Sequence, residues 1–270
     1  MSYWPLLPLI LLVAGILYRR KSRQWKREKL LATPLTPEQR EALARLVPIV
    51  RRLPSLLRQT LEGKINLFLD QVTFHGYHGL EVDDEMRLSI AAQACLLVAN
   101  SPVWFDTLRT VLIYPSAFYT GHNTHDGLVV HERDSNNAGE SWARGPVVLS
   151  WDHALQGGLN EEDGHNVVIH EFAHQLDSLT GHINGIPVLR KGQEYEGWEK
   201  AMLDAYHSHV GRVESGQRTL IDPYGASNHQ EFFAEATVAF FEKSRVMRRE
   251  EPALYEQLSE LLALDPARWP

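Results

Sequence analysis

The stretch Val167–Asp177 reads VVIHEFAHQLD, and the main fold and function predictions start from it. Apolar residues occupy most positions around a helix of this sequence, which predicts that the helix is buried. His170 and His174 are four residues apart, so their imidazoles would lie above one another on one helix face. Glu171 lies next to that face.

The spacing His-Glu-x-x-His predicts a metal site. The alternative is an ordinary helix that carries two unrelated histidines. A buried helix makes that alternative costly, because two imidazoles and a carboxylate in an apolar interior need strong partners. A metal ion supplies them, and zinc suits two imidazoles, one carboxylate and an open fourth position. We therefore expect one zinc ion per chain.

A third protein ligand has to come from outside the motif. The motif does not continue as His-x-x-Gly-x-x-His, because the positions of that glycine and final histidine hold Asp177 and Thr180. Asp177 can either ligate or orient, and His182 follows just beyond the predicted helix. The stronger candidates are Glu231 and Glu235, four residues apart in an apolar helical pattern. One of these carboxylates can ligate while the other holds a liganding imidazole by its second nitrogen.

These motifs together resemble the Mlc titration factor A family of zinc peptidases, whose site is similar to that of the catalytic domain of anthrax lethal factor. The resemblance covers roughly residues 35–265, and the matching segments are HEFAHQLD (170–177), DPYGAS (222–227), EFFAE (231–235) and GPVVLSW (145–151). It implies that His170, His174 and Glu231 bind zinc, that Glu171 is the general base and that Tyr224 assists the reaction. It also implies aminopeptidase activity on a peptide or protein substrate, and a transcriptional regulator as a partner.

The predicted fold is α+β: a zincin-like metallopeptidase domain, mainly helical with a small sheet. Thr36, Pro37 and Gln39 have the pattern of a capped helix start, and residues 83–100 read as a core helix. Pro48 and Pro54 are expected to break the chain that follows them into short pieces. Strands are predicted within 108–118 and 145–151, with a polar loop or hairpin at 120–144 that can cover the site. Further helices are predicted in the segments 195–210, 229–244 and 252–263.

The N-terminal residues predict a membrane anchor. Residues 3–18 contain no charged side chain, and basic residues follow at once. We expect an anchor helix at 1–18 that spans the membrane, a basic juxtamembrane linker at 19–34 and the peptidase domain at 35–270. Positive charge after the apolar run places the domain in the cytoplasm, as a single-pass protein of the inner membrane. The alternative is a helix that docks on the protein or lies flat at the interface, or a cytoplasmic protein.

Charge and cysteine content exclude other classes of protein. Residues 31–270 carry 20 basic and 33 acidic side chains, a net charge of −13. An acidic body argues against nucleic-acid binding, which requires a basic face. Cys95 is the single cysteine of the 270 residues, so neither an internal disulfide nor a cysteine-rich zinc cluster can form.

The predicted function is a zinc-dependent peptidase, in which Glu171 takes a proton from a zinc-bound water and passes it to the leaving amine. An alternative is a regulatory protein that binds a transcription factor or other partner, with peptidase activity secondary. A membrane-tethered scaffold without metal is disfavoured by the two helical motifs.

Overall fold

The computed structural model describes residues 7–116 and 145–270, which form a mostly helical structure with a small sheet. The α-helices are α1 (Leu7–Ala32), α2 (Pro37–Leu46), α3 (Ser55–Gln71), α4 (Asp84–Leu96), α5 (Trp151–Leu159), α6 (Val167–Asp177), α7 (Tyr195–Glu214), α8 (His229–Glu242), α9 (Ser244–Glu250) and α10 (Pro252–Leu262). The strands are β1 (Thr73–Gly76), β2 (Thr110–Tyr114) and β3 (Val147–Ser150). The predicted loop at 120–144 lies outside the described residues.

The three strands form one parallel sheet in the order β1-β2-β3. Phe74 pairs with Val111, and Val111 pairs with Val147. Parallel strands require long connections, and α4 lies in the connection between β1 and β2. α5 begins directly after β3, so the chain turns from the sheet into the helical layer that carries α6.

The site-bearing helix α6 is anchored by its apolar face. Phe172 is fully buried, and its ring lies 5.6 Å from the ring of Phe68 on α3 and 5.2 Å from that of Phe105. α6 also packs against α4, α5 and α8. Because large apolar side chains fix one face of α6, the opposite face with the two histidines is held towards α8.

The capped start of α2 matches the sequence pattern. Thr36 accepts a hydrogen bond from Gln39 N, and the Gln39 side chain accepts one from Thr36 N. The expectation for Pro48 and Pro54 holds only for Pro48–Arg52, a short 3₁₀ helix. Pro54 occupies the N-cap of α3, a single 17-residue helix. Proline is tolerated at a helix start because the first backbone N–H groups need no partner within the helix.

The predicted transmembrane helix is wrong. Within residues 7–116 and 145–270, none of the helices combines the length and the apolar character that crossing a membrane requires. In α1 the described residues before the basic residues Arg19, Arg20 and Lys21 number twelve, from Leu7 to Tyr18. Twelve helical residues span about 18 Å, against roughly 30 Å of hydrocarbon. The predicted single-pass location therefore has no spanning helix to support it, and residues 3–6 of the predicted anchor lie outside the described residues.

The second half of α1 packs against the body of the protein. Lys26 Nζ lies 2.6 Å from Asp70 Oδ1 on α3, and Leu30 and Leu31 pack against the hydrophobic core. The closest approach is at Gly63 of α3, where a Cβ atom would lie 2.1 Å from Leu31 O. Residues 19–32, most of the predicted linker 19–34, thus belong to a helix that contacts α3.

Candidate metal centre

Three side chains from α6 and α8 converge on one point. The distance from His170 Nε2 to His174 Nε2 is 3.1 Å, and Glu231 Oε2 lies 3.2 Å from the first and 3.3 Å from the second. Their side chains are only 12%, 12% and 9% exposed. In the described parts of the chain, this is the group of histidine and carboxylate side chains that can hold a metal ion.

An asparagine begins each of the two helices. Asn166 Oδ1 accepts a hydrogen bond from Ile169 N at the start of α6, and its amide donates to Gly157 O. Asn228 Oδ1 accepts from Glu231 N at the start of α8. Capping fixes the first turn of each helix, so Asn228 directly orients the residue that carries the carboxylate. Neither asparagine was predicted from the sequence, although an asparagine just before an apolar helical pattern is a usable signal.

Glu235 contacts the second ring nitrogen of His170, Nδ1. His170 Nδ1 lies 2.9 Å from Glu235 Oε1, one helical turn beyond Glu231. When Nδ1–H donates to this carboxylate, the lone pair of His170 Nε2 faces the convergence point. The arrangement matches the alternative in which one glutamate contacts the centre and the other orients a histidine.

The electrostatics of this centre favour a cation. Burial by itself lowers the pKa of His170, but hydrogen bonds with Glu231 and Glu235 and the charge of Glu171 outweigh it and raise that pKa to about 10. Burial by itself raises the pKa of Glu231, and hydrogen bonds from His170 and His174 bring it well below its usual range. A site that holds a proton this firmly also attracts a divalent ion, because both respond to the same negative potential.

The remaining two predicted residues lie next to this group. Glu171 Oε1 is 4.0 Å from His170 Nε2, too far for a hydrogen bond and close enough to share a bridging molecule. Tyr224 lies in the 3₁₀ helix Pro223–Ala226, and its backbone N–H donates to Asp222 Oδ1. The ring of Tyr224 is 6.2 Å from that of His170. The structure therefore brings all five predicted site residues together.

Two residues considered as further ligands are not part of the group. His182 is exposed beyond the end of α6. Asp177 is completely buried, and its Oδ2 accepts hydrogen bonds from Asn184 N and Gly185 N at 2.8 and 2.6 Å. Burial raises the pKa of Asp177 although these backbone donors lower it.

The whole helical body also has relatives among known proteins. The family described as glucose-regulated metallo-peptidase M90 matches residues 22–262. The chain belongs to the M90 metallopeptidase family. An uncharacterized protein of Synechocystis sp. is 40% identical over 247 residues, which cover 90% of this chain and 89% of that protein. Proteins named Mlc titration factor A from Yersinia pestis and Yersinia pseudotuberculosis are each 31% identical over the same lengths.

Membership of the M90 family confirms the resemblance that the sequence motifs indicated, and it points to a metallopeptidase. The match includes α6 and α8 with all three converging side chains. It begins at residue 22, so the apolar first half of α1 lies outside it.

Proposed function

We propose that this M90 protein is a zinc-dependent peptidase that hydrolyses peptide bonds, with aminopeptidase-like activity. The observation that supports it most strongly is the triangle formed by His170 Nε2, His174 Nε2 and Glu231 Oε2, with sides of 3.1 to 3.3 Å. A tetrahedral zinc ion with bonds of about 2.0–2.1 Å separates its ligands by about 3.3 Å. The spacing of the three atoms thus fits zinc without any movement of either helix.

The chemistry of the donor set supports the same metal. Two imidazole nitrogens and one carboxylate oxygen are the protein ligands of many catalytic zinc sites, which keep one position open. When bound, zinc supplies Lewis-acid chemistry: it acidifies water and polarises a carbonyl group.

In this proposal, side chains next to the triangle carry out the proton transfers. Glu171 takes a proton from the attacking water and delivers it to the leaving amine; its Oε1 lies 4.0 Å from His170 Nε2. Tyr224 donates a hydrogen bond to the oxyanion that develops on the scissile carbonyl, a contact that strengthens in the transition state. Because Glu171 is only 12% exposed, bulk water has limited access to its carboxylate.

The proposed base is tested with Glu171→Gln. Zinc content should remain near one per chain, while peptide turnover should fall by about 10²- to 10⁴-fold, because the amide cannot accept the proton. Elemental analysis and digestion of a peptide library measure the two quantities on the full chain. The control is Glu256→Gln, an exposed position on α10. Undiminished turnover in Glu171→Gln would remove the base, and a wild-type protein that binds no zinc would remove the proposal.

The aminopeptidase character needs its own test. Peptides with a free amino terminus are compared with the same peptides N-acetylated, with the products identified by mass spectrometry. An aminopeptidase releases single residues from the free peptides and leaves the acetylated ones intact. Internal cleavage of both sets would make the protein an endopeptidase and would leave the zinc mechanism in place.

A second candidate function is binding of a transcriptional regulator, with peptidase activity secondary. The support is the name of the Yersinia relatives, Mlc titration factor A. His170→Ala, which removes a ligand, separates the two functions. Binding of a regulator that survives this substitution, in a protein that cuts none of the library peptides in its wild-type form, would favour the regulatory function.

A further inference from the structure

Two buried polar atoms near the metal centre lack a partner. Among the described residues, neither His174 Nδ1 nor Asp177 Oδ1 has a hydrogen-bond partner, although both are shielded from solvent. A buried polar group left unpaired costs roughly 1–3 kcal/mol. Two such atoms on one helix, one able to donate and the other to accept, therefore require an explanation.

Helix geometry places these two side chains on the same face of α6. His174 and Asp177 are three residues apart on α6, where Cβ atoms lie about 5–6 Å apart. Helical side chains lean towards the helix N-terminus, so the carboxylate of Asp177 leans over the turn that carries His174. An imidazole and a carboxylate can bridge a gap of this size.

The other oxygen of Asp177 is already fixed. Oδ2 accepts two backbone hydrogen bonds, from Asn184 N and Gly185 N. Gly185 in turn lies against α8, because a Cβ atom there would be 2.7 Å from His229 O, and its φ is +79°. Asp177 thus links the end of α6 to residues 184–185. Gly185 packs against His229 at the start of α8, and His229 is two residues before Glu231.

We infer that Asp177 is the positioning residue of His174: in the zinc-loaded protein its Oδ1 accepts the Nδ1–H of His174, so that the lone pair of Nε2 faces the ion. Each liganding imidazole then donates its Nδ1–H to its own carboxylate, Glu235 for His170 and Asp177 for His174. This inference rests on the proposed zinc function, and it concerns how the second histidine is held.

The substitution Asp177→Asn separates positioning from a merely structural role. To keep both backbone hydrogen bonds, the amide oxygen must face Asn184 and Gly185, which leaves the amide NH₂ facing His174 Nδ1. That nitrogen must then accept, so the proton moves to Nε2 and blocks the ligand atom. Zinc affinity should fall about 10- to 100-fold, as for other carboxylates behind a liganding histidine. If Asp177 only held residues 184–185 in place, Asp177→Asn would bind zinc with wild-type affinity, because the asparagine keeps both backbone hydrogen bonds.

The experiment measures zinc affinity of the full chain by competition with a chelating dye, for wild type, Asp177→Asn and the control Glu242→Gln. Glu242 is also a buried acidic side chain that accepts a backbone N–H, from Gly164 before α6, and it lies at the opposite end of α8 from Glu231. The control should bind zinc within about twofold of wild type. Long-range proton–nitrogen NMR of the wild-type histidines gives a second readout that needs no variant. His174 should show a protonated, slowly exchanging Nδ1 in the zinc-loaded protein.

Unchanged zinc affinity in Asp177→Asn, or a His174 Nδ1 proton in fast exchange with solvent, would overturn the inference alone, provided that wild type binds zinc and cuts peptides. A wild-type protein without zinc would overturn the proposed function and this inference together.

Discussion

Glu235 contacts the candidate metal centre through His170. Its Oε1 lies 2.9 Å from His170 Nδ1, so its loss frees the imidazole to rotate and weakens it as a ligand. Glu235→Ala should lower zinc affinity about 10- to 100-fold, and Glu235→Gln should lower it less, because the amide oxygen can still accept. Dye competition measures both, with Glu256→Ala as the exposed control. Equal affinities in all variants would contradict the orienting role.

Tyr224 should affect the reaction rather than the metal. Removal of one oxyanion donor typically costs about 10²- to 10³-fold in kcat. Tyr224→Phe keeps the ring next to His170 and removes only the hydroxyl, so zinc affinity should remain at the wild-type value while kcat falls. Steady-state kinetics and metal analysis test this, with the exposed Tyr195→Phe as the matched control. A change in KM with kcat preserved would assign Tyr224 to substrate binding.

The residues of the site differ in how far the sequence predicts them. His170 and His174 are set by local helical spacing, which the sequence displays directly. Glu231 lies 57 residues beyond His174, and only its apolar helical context and the family resemblance indicated it. The role of Asp177 stayed open, because ligating and orienting positions can have the same sequence spacing and differ only in the direction of the side chain.

Helices and strands were predictable where their signals are local. The start of α4 follows Asp83, whose side chain accepts from Met86 N, and an acidic cap of this kind is visible in the sequence. α3 was missed because Pro54, its N-cap, was interpreted as a residue that breaks the chain into short pieces. β1 was missed because it has only four residues, Thr73–Gly76, mostly exposed, so no alternation marks it.

The contact between α1 and α3 depends on one glycine. A Cβ atom at Gly63 would lie 2.1 Å from Leu31 O, a backbone atom that cannot rotate away. Gly63→Ala should therefore lower the free energy of unfolding by about 1–3 kcal/mol, measured by urea denaturation. Gly211 on α7 is the matched control, since no atom lies within 4 Å of its Cβ position. Gly211→Ala should stabilise the protein by about 0.5–1 kcal/mol. Stabilisation by both substitutions would mean that α1 does not pack here.

For the whole molecule, the uncharged residues 3–18 predicted a membrane span that the structure does not support. None of the helices within residues 7–116 and 145–270 is long and apolar enough to cross a membrane. The packing partner of residues 19–32 could not be predicted, because it depends on a glycine in a different helix.

The pair α6 and α8 is joined at both ends, by the metal centre at one and by Glu242 at the other. Glu242 is buried, and its Oε2 accepts from Gly164 N just before α6. Burial, together with the charge of Asp163, raises the pKa of Glu242 to about 8, against the lowering effect of hydrogen bonds from Asn166, Gly164 and His165. Between pH 4.5 and about 8, the folded protein therefore keeps a proton on Glu242. The unfolded chain releases that proton, because its Glu242 has the ordinary pKa of 4.5.

This pKa gives stability a definite dependence on pH. The stabilising contribution of Glu242 is complete below pH 4.5 and is lost as the pH rises through about 8, the folded-state value. Within that window the contribution falls by on the order of 1 kcal/mol per pH unit. Glu242→Gln keeps a neutral side chain at every pH, so the variant should gain stability relative to wild type from pH 5 to pH 8. Urea denaturation at four pH values, with a chelator to exclude metal effects, measures the difference, and Glu256→Gln should follow wild type. Parallel curves for wild type and Glu242→Gln would mean that this carboxyl group is ionised in the folded protein and that the α6–α8 contact at this end holds a charge.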